Sequence, residues 1–193
     1  DRLLCVGPSE AERLRSREPD SACAVVPLGC RFADDAPETA DPELFAKEFG
    51  VRDYVLCVGR LEIRKNQLML LQALRNVDIP VVFVNSFTHQ PDYEELCKAF
   101  PRRARTIFTG RISRPMLLSA YAGAAVHALP SFFELPGLVT LEAAARGRPV
   151  VAGRGGAISD YLPRGVHLCD PGDPASVRDA VLAALSAGPD ANA

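Results

Sequence analysis

The stretch from Ala124 to Ala152 leaves the chain least freedom. Ala124 to Leu129 is a short apolar run that reads as a strand, and Pro130 to Pro136, with two prolines, Ser131 and Glu134, reads as a turn. Gly137 to Arg146 has the composition of a helix, with Ala143, Ala144 and Ala145 in its body and Gly147 placed to end it. Arg148 to Ala152 then start another apolar strand. Two strands joined through a helix run parallel, so the unit calls for a parallel sheet with its turn exposed at the edge where open α/β sheets bind ligands.

The alternation continues on both sides. Upstream, Arg2 to Val6 reads as a strand, Pro8 to Arg17 as a helix and Cys23 to Pro27 as a strand. Gly29 to Pro42 is polar, with few large apolar residues apart from Phe32, and reads as a linker or hinge before a helix over Pro42 to Phe49 that Gly50 stops. Tyr54 to Val58 is a buried strand, and the helix after it carries an apolar stripe of Leu70, Ala73, Leu74 and Val77. Strands over Ile79 to Val84 and Arg105 to Phe108 alternate with helices over Pro91 to Phe100 and Pro115 to Gly123. Val166 to Cys169 and the helix Ala175 to Leu185 close the series, with Ser186 to Ala193 expected to fray. This pattern predicts an α/β fold with a doubly wound parallel sheet. Leu3, Leu4 and Val6 are expected to be less buried than Val55, Leu56 and Val58.

Charge narrows the partners. The 22 basic and 24 acidic residues leave a net charge of −2, so no global field recruits nucleic acid or an anionic membrane, and a phosphate site must be local. No apolar stretch reaches bilayer length, and the run within Asp1 to Glu10 is too short for the core of a secretion signal, so a cytoplasmic protein is expected. The six cysteines form no CxxC pair and no zinc-ligand spacing with His89, His127 or His167; they are expected to be reduced and structural. His127, in mid-strand, reads as a core residue.

Two carboxylates, Glu134 and Glu142, stand eight residues apart across the central turn. They read either as complements to the positive helix N-terminus, about 0.3–1 kcal/mol each, or as acceptors for ligand hydroxyls while N–H groups near Gly137 and Leu138 face an anion. Glu142 has Leu138, Val139 and Leu141 as sequence neighbours, a setting in which a carboxylate needs a partner. The turn GRLEIRKN after Val58 carries three cations. Arg64 reads as solvated surface, whereas Arg60 at the strand exit and Lys65 beside the helix start could converge on one diphosphate. Arg111 and Ile112 occupy another strand-exit turn. Gly153 to Gly156, GRGG, fits neither a P-loop nor a dinucleotide fingerprint and reads as a tight turn or a ligand loop.

With these residues in view, the chain resembles the carboxyl-terminal half of group 1 retaining glycosyltransferases of the GT-B class. The match runs in order through VVPLGC, YVLCVGRLEIRKNQ, TIFTGRI and AYAGAAVHALPSFFELPGLVTLEAAARGRPVV, and it holds the family's Glu-x7-Glu pattern with Gly137 three residues after the first Glu. The resemblance implies a Rossmann-like nucleotide-sugar-binding domain over residues 50–193, a hinge and linker helix over 29–49, and a remnant of the amino-terminal acceptor domain over 1–28. It implies that Arg60 and Lys65 hold the donor diphosphate and stabilise its leaving charge, that Glu134 holds the donor sugar and that Glu142 holds the ribose. Gly59 would lie at the same strand exit, backbone N–H groups of Gly137, Leu138 and Val139 would approach sugar and phosphates, and Arg111 and Ile112 would lie by the base. The implied donor is a UDP- or GDP-type sugar, from which a hexosyl group passes with retention to a glycan, lipid or small-molecule acceptor, without a metal or other cofactor. The acceptor, and any peripheral membrane contact, would belong to the missing first domain, so this chain alone is expected not to transfer sugar. Two other readings remain: a non-catalytic scaffold or interaction domain with a residual nucleotide site, and a sugar-nucleotide epimerase of related fold.

Overall fold

In the computed structural model, eight strands among the described residues pair in parallel within two separate sheets. The structure describes residues 2–29, 40–162 and 164–188; most of the expected hinge and the end of the expected frayed tail lie outside them. The small sheet pairs β1 (Leu3–Cys5) with β2 (Cys23–Val25), joined through helix α1 (Pro8–Arg15). Helix α2 (Pro42–Phe49) leads to the large sheet, capped by the Asp41 side chain at its start and ended by Gly50 in the left-handed conformation.

The large sheet contains β3 (Tyr54–Val58), β4 (Val81–Val84), β5 (Thr106–Phe108), β6 (Ala124–Leu129), β7 (Val150–Gly153) and β8 (Val166–Cys169). Their spatial order is β5-β4-β3-β6-β7-β8. The chain winds outward from β3 to β5, returns to the other side of β3 and winds outward again from β6 to β8. The reversal opens a crevice at the carboxyl ends of β3 and β6, the place where such sheets bind ligands.

All residues of β3 and β4 are buried because helices cover both faces. Side chains alternate between faces along a strand. Val55 and Cys57 pack with Leu70 and Leu71 of α3 (Gln67–Ala73), Tyr93 and Cys97 of α4 (Pro91–Ala99), and Val177 and Val181 of α8 (Pro174–Ala187). Tyr54, Leu56 and Val58 face Phe45 of α2, Ala120 and Tyr121 of α5 (Arg114–Gly123), and Ala143 of α6 (Leu138–Ala144).

Several boundaries differ from the sequence reading. Strand β4 starts at Val81, two residues late, because Pro80 has no N–H to give a ladder. Helix α3 ends at Ala73, so Val77 packs from a turn, and a loop with a 3-10 turn at Ile63–Lys65 separates β3 from it. Helix α6 stops at Ala144 because Arg148 N–H returns to the Ala143 carbonyl, 3.1 Å away. Helix α1 ends at Arg15, and a short helix α7 (Ile158–Tyr161) was not expected.

Leu3 and Leu4 are 48% and 70% exposed, whereas Val55 and Leu56 are fully buried, the contrast anticipated from sequence. The small sheet is tied to the large one through α7. Asp160 accepts from Ser9 N–H at 2.9 Å and Ser9 Oγ at 2.6 Å, and a Cβ at Gly7 would lie 2.4 Å from the same carboxylate. Tyr161 O–H donates to the Val6 carbonyl at 2.5 Å and accepts from Leu28 N–H at 3.1 Å. Among the described residues, no helix is long and apolar enough to cross a membrane.

Candidate functional site

Two loops border the crevice, residues 59–66 leaving β3 and residues 130–137 leaving β6. Asn66, buried and left-handed (φ 62°), donates through Nδ2 to the carbonyls of Pro130 at 3.1 Å and Pro171 at 2.8 Å. Gln67, fully buried, donates to the Arg60 carbonyl at 2.7 Å, and Phe132 N–H donates to the Arg64 carbonyl at 3.0 Å. This lacing fixes both loops to one another. Neither Asn66 nor Gln67 was singled out from sequence, where two amides directly after the cations carry no mark of burial.

The GRGG segment forms the floor of the second loop. A Cβ at Gly153, Gly155 or Gly156 would lie 2.0, 2.3 or 2.6 Å from the carbonyl oxygens of Ser131, Phe132 and Glu134 respectively. Ala157 N–H donates to the Glu134 carbonyl at 3.0 Å. These glycines are required for room between two backbones, a role beyond a tight turn.

The side chains on the loops form a chain of alternating charge. Glu134 Oε1 accepts from Lys65 Nζ at 2.5 Å and from Arg64 at 3.1 Å. Arg64 also donates to Glu62 at 2.8 Å and to the Phe133 carbonyl at 2.7 Å, and Arg60 lies 3.4 Å from Glu62. Arg64 keeps 43% side-chain exposure, as the sequence reading expects, and in addition it spans both loops. Three cations face two carboxylates, so one positive charge is in excess here in a chain whose net charge is −2. These pairs are part-exposed and worth little individually, so a competing anion can exchange with them.

Lys65 borders two clefts. One, of about 420 Å³, is walled by Gly59, Arg60, Asn85, Arg111, Ile112 and Leu117. The other, of about 510 Å³, is walled by Arg64, Phe133, Glu134, Gly137, Leu138 and Val139. Thus every sequence-predicted site residue but Glu142 lines one of two adjoining hollows. Glu142 follows Leu138 and Val139 by four and three residues on α6, hence on the same helix face, but lines neither cleft. Its Oε2 accepts from Tyr121 O–H at 2.8 Å, a hydroxyl also 3.2 Å from the Val139 carbonyl. Burial raises the Glu142 pKa, opposed by the Tyr121 hydrogen bond and the charge of Arg114. Gly137, left-handed at φ 65°, starts α6 without a side-chain cap. Both carboxylates are thus bound to side chains, and neither lies in the first turn of α6.

A further hollow of about 320 Å³ lies at the amino ends of β3 and β6, between Arg52, Asp53, Ala124 and Arg148. Its cations are engaged with protein groups, Arg52 with Glu43 and Arg148 with the Ala124 and Arg146 carbonyls. His127 is fully buried and its pKa falls to about 3 through desolvation and the nearby Lys65 charge, so it is a neutral core residue. Cys5, Cys23, Cys57, Cys97 and Cys169 are free thiols, and burial pushes Cys57 up to about 12. Among the described residues, no three His, Cys, Asp or Glu side chains cluster as metal ligands.

Comparison with known proteins gives these features a context. The chain is 31% identical over 150 residues to a sulfoquinovosyl transferase of Arabidopsis thaliana, covering 70% of this chain and 29% of that protein. It is 30% identical over 210 residues to a D-inositol 3-phosphate glycosyltransferase of Kribbella flavida, covering 98% of this chain and 49% of that protein. A sucrose-phosphate synthase from Thermosynechococcus elongatus superposes with a TM-score of 0.77 at 22% identity, over 96% of this chain and 49% of that one. A trehalose-6-phosphate protein of E. coli bound with UDP-2-fluoro glucose superposes with a TM-score of 0.74 at 14% identity, over 96% and 53%. The chain therefore spans about half or less of the length of the proteins it matches, and its fold is that of the Rossmann-like domain of GT-B enzymes. The profile described as glycosyl transferases group 1 matches residues 52–187, and with the two-loop crevice it shows that the chain belongs to the group 1 glycosyltransferases.

Proposed function

We propose that this chain is the donor-binding half of a retaining glycosyltransferase that uses a UDP- or GDP-type sugar. The observation that carries the reading is the convergence of Arg60, Arg64, Lys65 and Glu134 at the strand-order reversal between β3 and β6. The diphosphate takes Arg60 and Lys65, exchanging the Lys65–Glu134 pair for Lys65–phosphate. Glu134 is then free to accept hydrogen bonds from sugar hydroxyls, and Glu142 turns from Tyr121 to the ribose hydroxyls. The first-turn N–H groups of Leu138 and Val139 have no acceptor within α6 and face the sugar and phosphates. Negative charge grows on the leaving diphosphate as the glycosidic bond breaks, and Arg60 and Lys65 stabilise it without a metal ion. In a front-face reaction the acceptor oxygen bonds to the anomeric carbon on the face from which the diphosphate leaves, which preserves the configuration, and the departing phosphate oxygen takes the acceptor's proton. Residues 1–28 belong in this reading to the acceptor domain, which holds the glycan, lipid or small-molecule acceptor, and the enzyme works in the cytoplasm.

Titration calorimetry tests the donor site. UDP or GDP should bind the chain, and Arg60→Ala should weaken binding by about 1.5–3 kcal/mol, the range for a charge-assisted hydrogen bond. Equal affinities for the two proteins would remove Arg60 from the site. Incubation with sugar nucleotide and no acceptor should leave the sugar unchanged; an isomerised sugar would mean an epimerase.

A further inference from the structure

Strand β4 ends at Val84, and Asn85 follows directly at the carboxyl edge of the sheet, between the exits of β3 and β5. Asn85 is only 6% exposed and its Oδ1 is buried without a hydrogen-bond partner among the described residues. His127 and Ser131 also have buried polar atoms without partners, but of the three only Asn85 borders one of the two clefts beside Lys65. Buried polar groups are nearly always paired, so an unpaired one at a cleft wall points to a partner from outside the protein.

The position of Asn85 within that cleft limits what the partner is. Arg60, Lys65 and Arg111 contribute cations, while Val58, Val84, Ile112 and Leu117 contribute apolar surface. An ionised phosphate has no hydrogen to offer an amide oxygen. A nucleobase has a flat apolar face and an edge where N–H and an acceptor lie side by side in one plane. A carboxamide presents the complementary acceptor and donor, also in one plane. We propose that Asn85 hydrogen-bonds the polar edge of the donor's nucleobase, held over Val84 and Leu117, and so sets which nucleotide the protein accepts. The inference rests on the nucleotide-sugar reading of this cleft and adds a specificity-determining residue to it.

The test compares wild type with Asn85→Leu, a near-isosteric apolar replacement, and with Asn85→Ala. Binding of UDP, GDP, ADP and inorganic pyrophosphate is measured by calorimetry, and thermal melting is followed alongside. Wild type should prefer one nucleotide. Asn85→Leu should melt at the same or a higher temperature, because it removes an unpaired buried amide, and should bind the preferred nucleotide about fivefold to tenfold more weakly, a single hydrogen bond's worth. The three nucleotides should become nearly equal, and pyrophosphate affinity should stay unchanged. Asn85→Ala should give the same ranking, which keeps the test decisive should the leucine variant fail to fold. Unchanged nucleotide preference in folded variants would overturn the role of Asn85 while leaving the donor site standing. Equal weakening of pyrophosphate and nucleotides would also overturn it, by placing the amide at the phosphates. Failure of wild type to bind any of the nucleotides would end the donor reading and this inference together.

Discussion

Glu134 and Glu142 stand at the two ends of one turn-and-helix unit and are held by opposite means. Glu134 lies on a loop, with the ammonium of Lys65 at 2.5 Å and the guanidinium of Arg64 at 3.1 Å. Glu142 lies on α6 among apolar residues and accepts from a neutral phenol, Tyr121, at 2.8 Å. The first carboxylate is balanced by charge that an incoming diphosphate would compete for. The second keeps a desolvation cost that a neutral donor offsets only in part. A ligand with an anionic middle and hydroxyls on both sides would suit both, its hydroxyls replacing the cations drawn away from Glu134 and offering donors to Glu142.

The strongest way to break this comparison is Lys65→Ala, which removes the cation common to both clefts. Nucleoside diphosphate affinity should fall by about 3 kcal/mol, the upper end for a hydrogen bond to a charged group, as read by calorimetry. Undiminished binding would mean that the Lys65–Glu134 pair is only structural. Glu142→Gln sharpens the other half. It should weaken UDP or GDP by about 1.5 kcal/mol while pyrophosphate binds as before, and the free variant should melt higher because a desolvated carboxylate is gone. A loss shared by pyrophosphate would move Glu142 away from the ribose.

Tyr121→Phe should have a smaller effect, lowering stability by about 1 kcal/mol at neutral pH, one lost hydrogen bond, with denaturant unfolding as the measure. The pH dependence is smallest. The Glu142 pKa is raised in the folded protein above its ordinary value of 4.5, so the folded state binds the proton more tightly than the unfolded one. Its contribution is full below 4.5 and is lost as pH rises through the folded value. Wild type should therefore lose some stability over that window, and Glu142→Gln should lack that component of the slope. Hydroxyl donors from a nucleotide would favour the ionised form, so binding there should release protons, detectable by calorimetry in buffers of different ionisation heat.

Much of this arrangement was legible in the chain itself. The strand runs and Gly50 as a helix stop follow from local pattern, and the family from the resemblance that the profile over residues 52–187 bears out; of the charged residues picked from sequence, Arg60, Lys65 and Glu134 line the clefts and Glu142 does not. The link that Arg64 makes between the loops was not legible, because its partners Phe133 and Glu134 are 69 and 70 residues away. The GRGG segment read as a tight turn or a ligand loop because close approach of two backbones leaves no mark in a single segment. Asn66, Gln67 and Asn85 were passed over since an amide side chain is ordinary on a surface and becomes informative only once it is known to be buried.

The sequence by itself determined the main strands and helices, though not the short α7, and that they alternate into a parallel sheet, because those properties arise from periodicities of two and about 3.6 residues. Only the tertiary structure decided that β6 returns beside β3, which brings residues 59–66 against residues 130–137. It also decided which polar groups are desolvated and which are left without a partner. Coulomb attraction, steric room and hydrogen-bond satisfaction depend on distances through space, and for residues some 70 positions apart the chain order does not contain them.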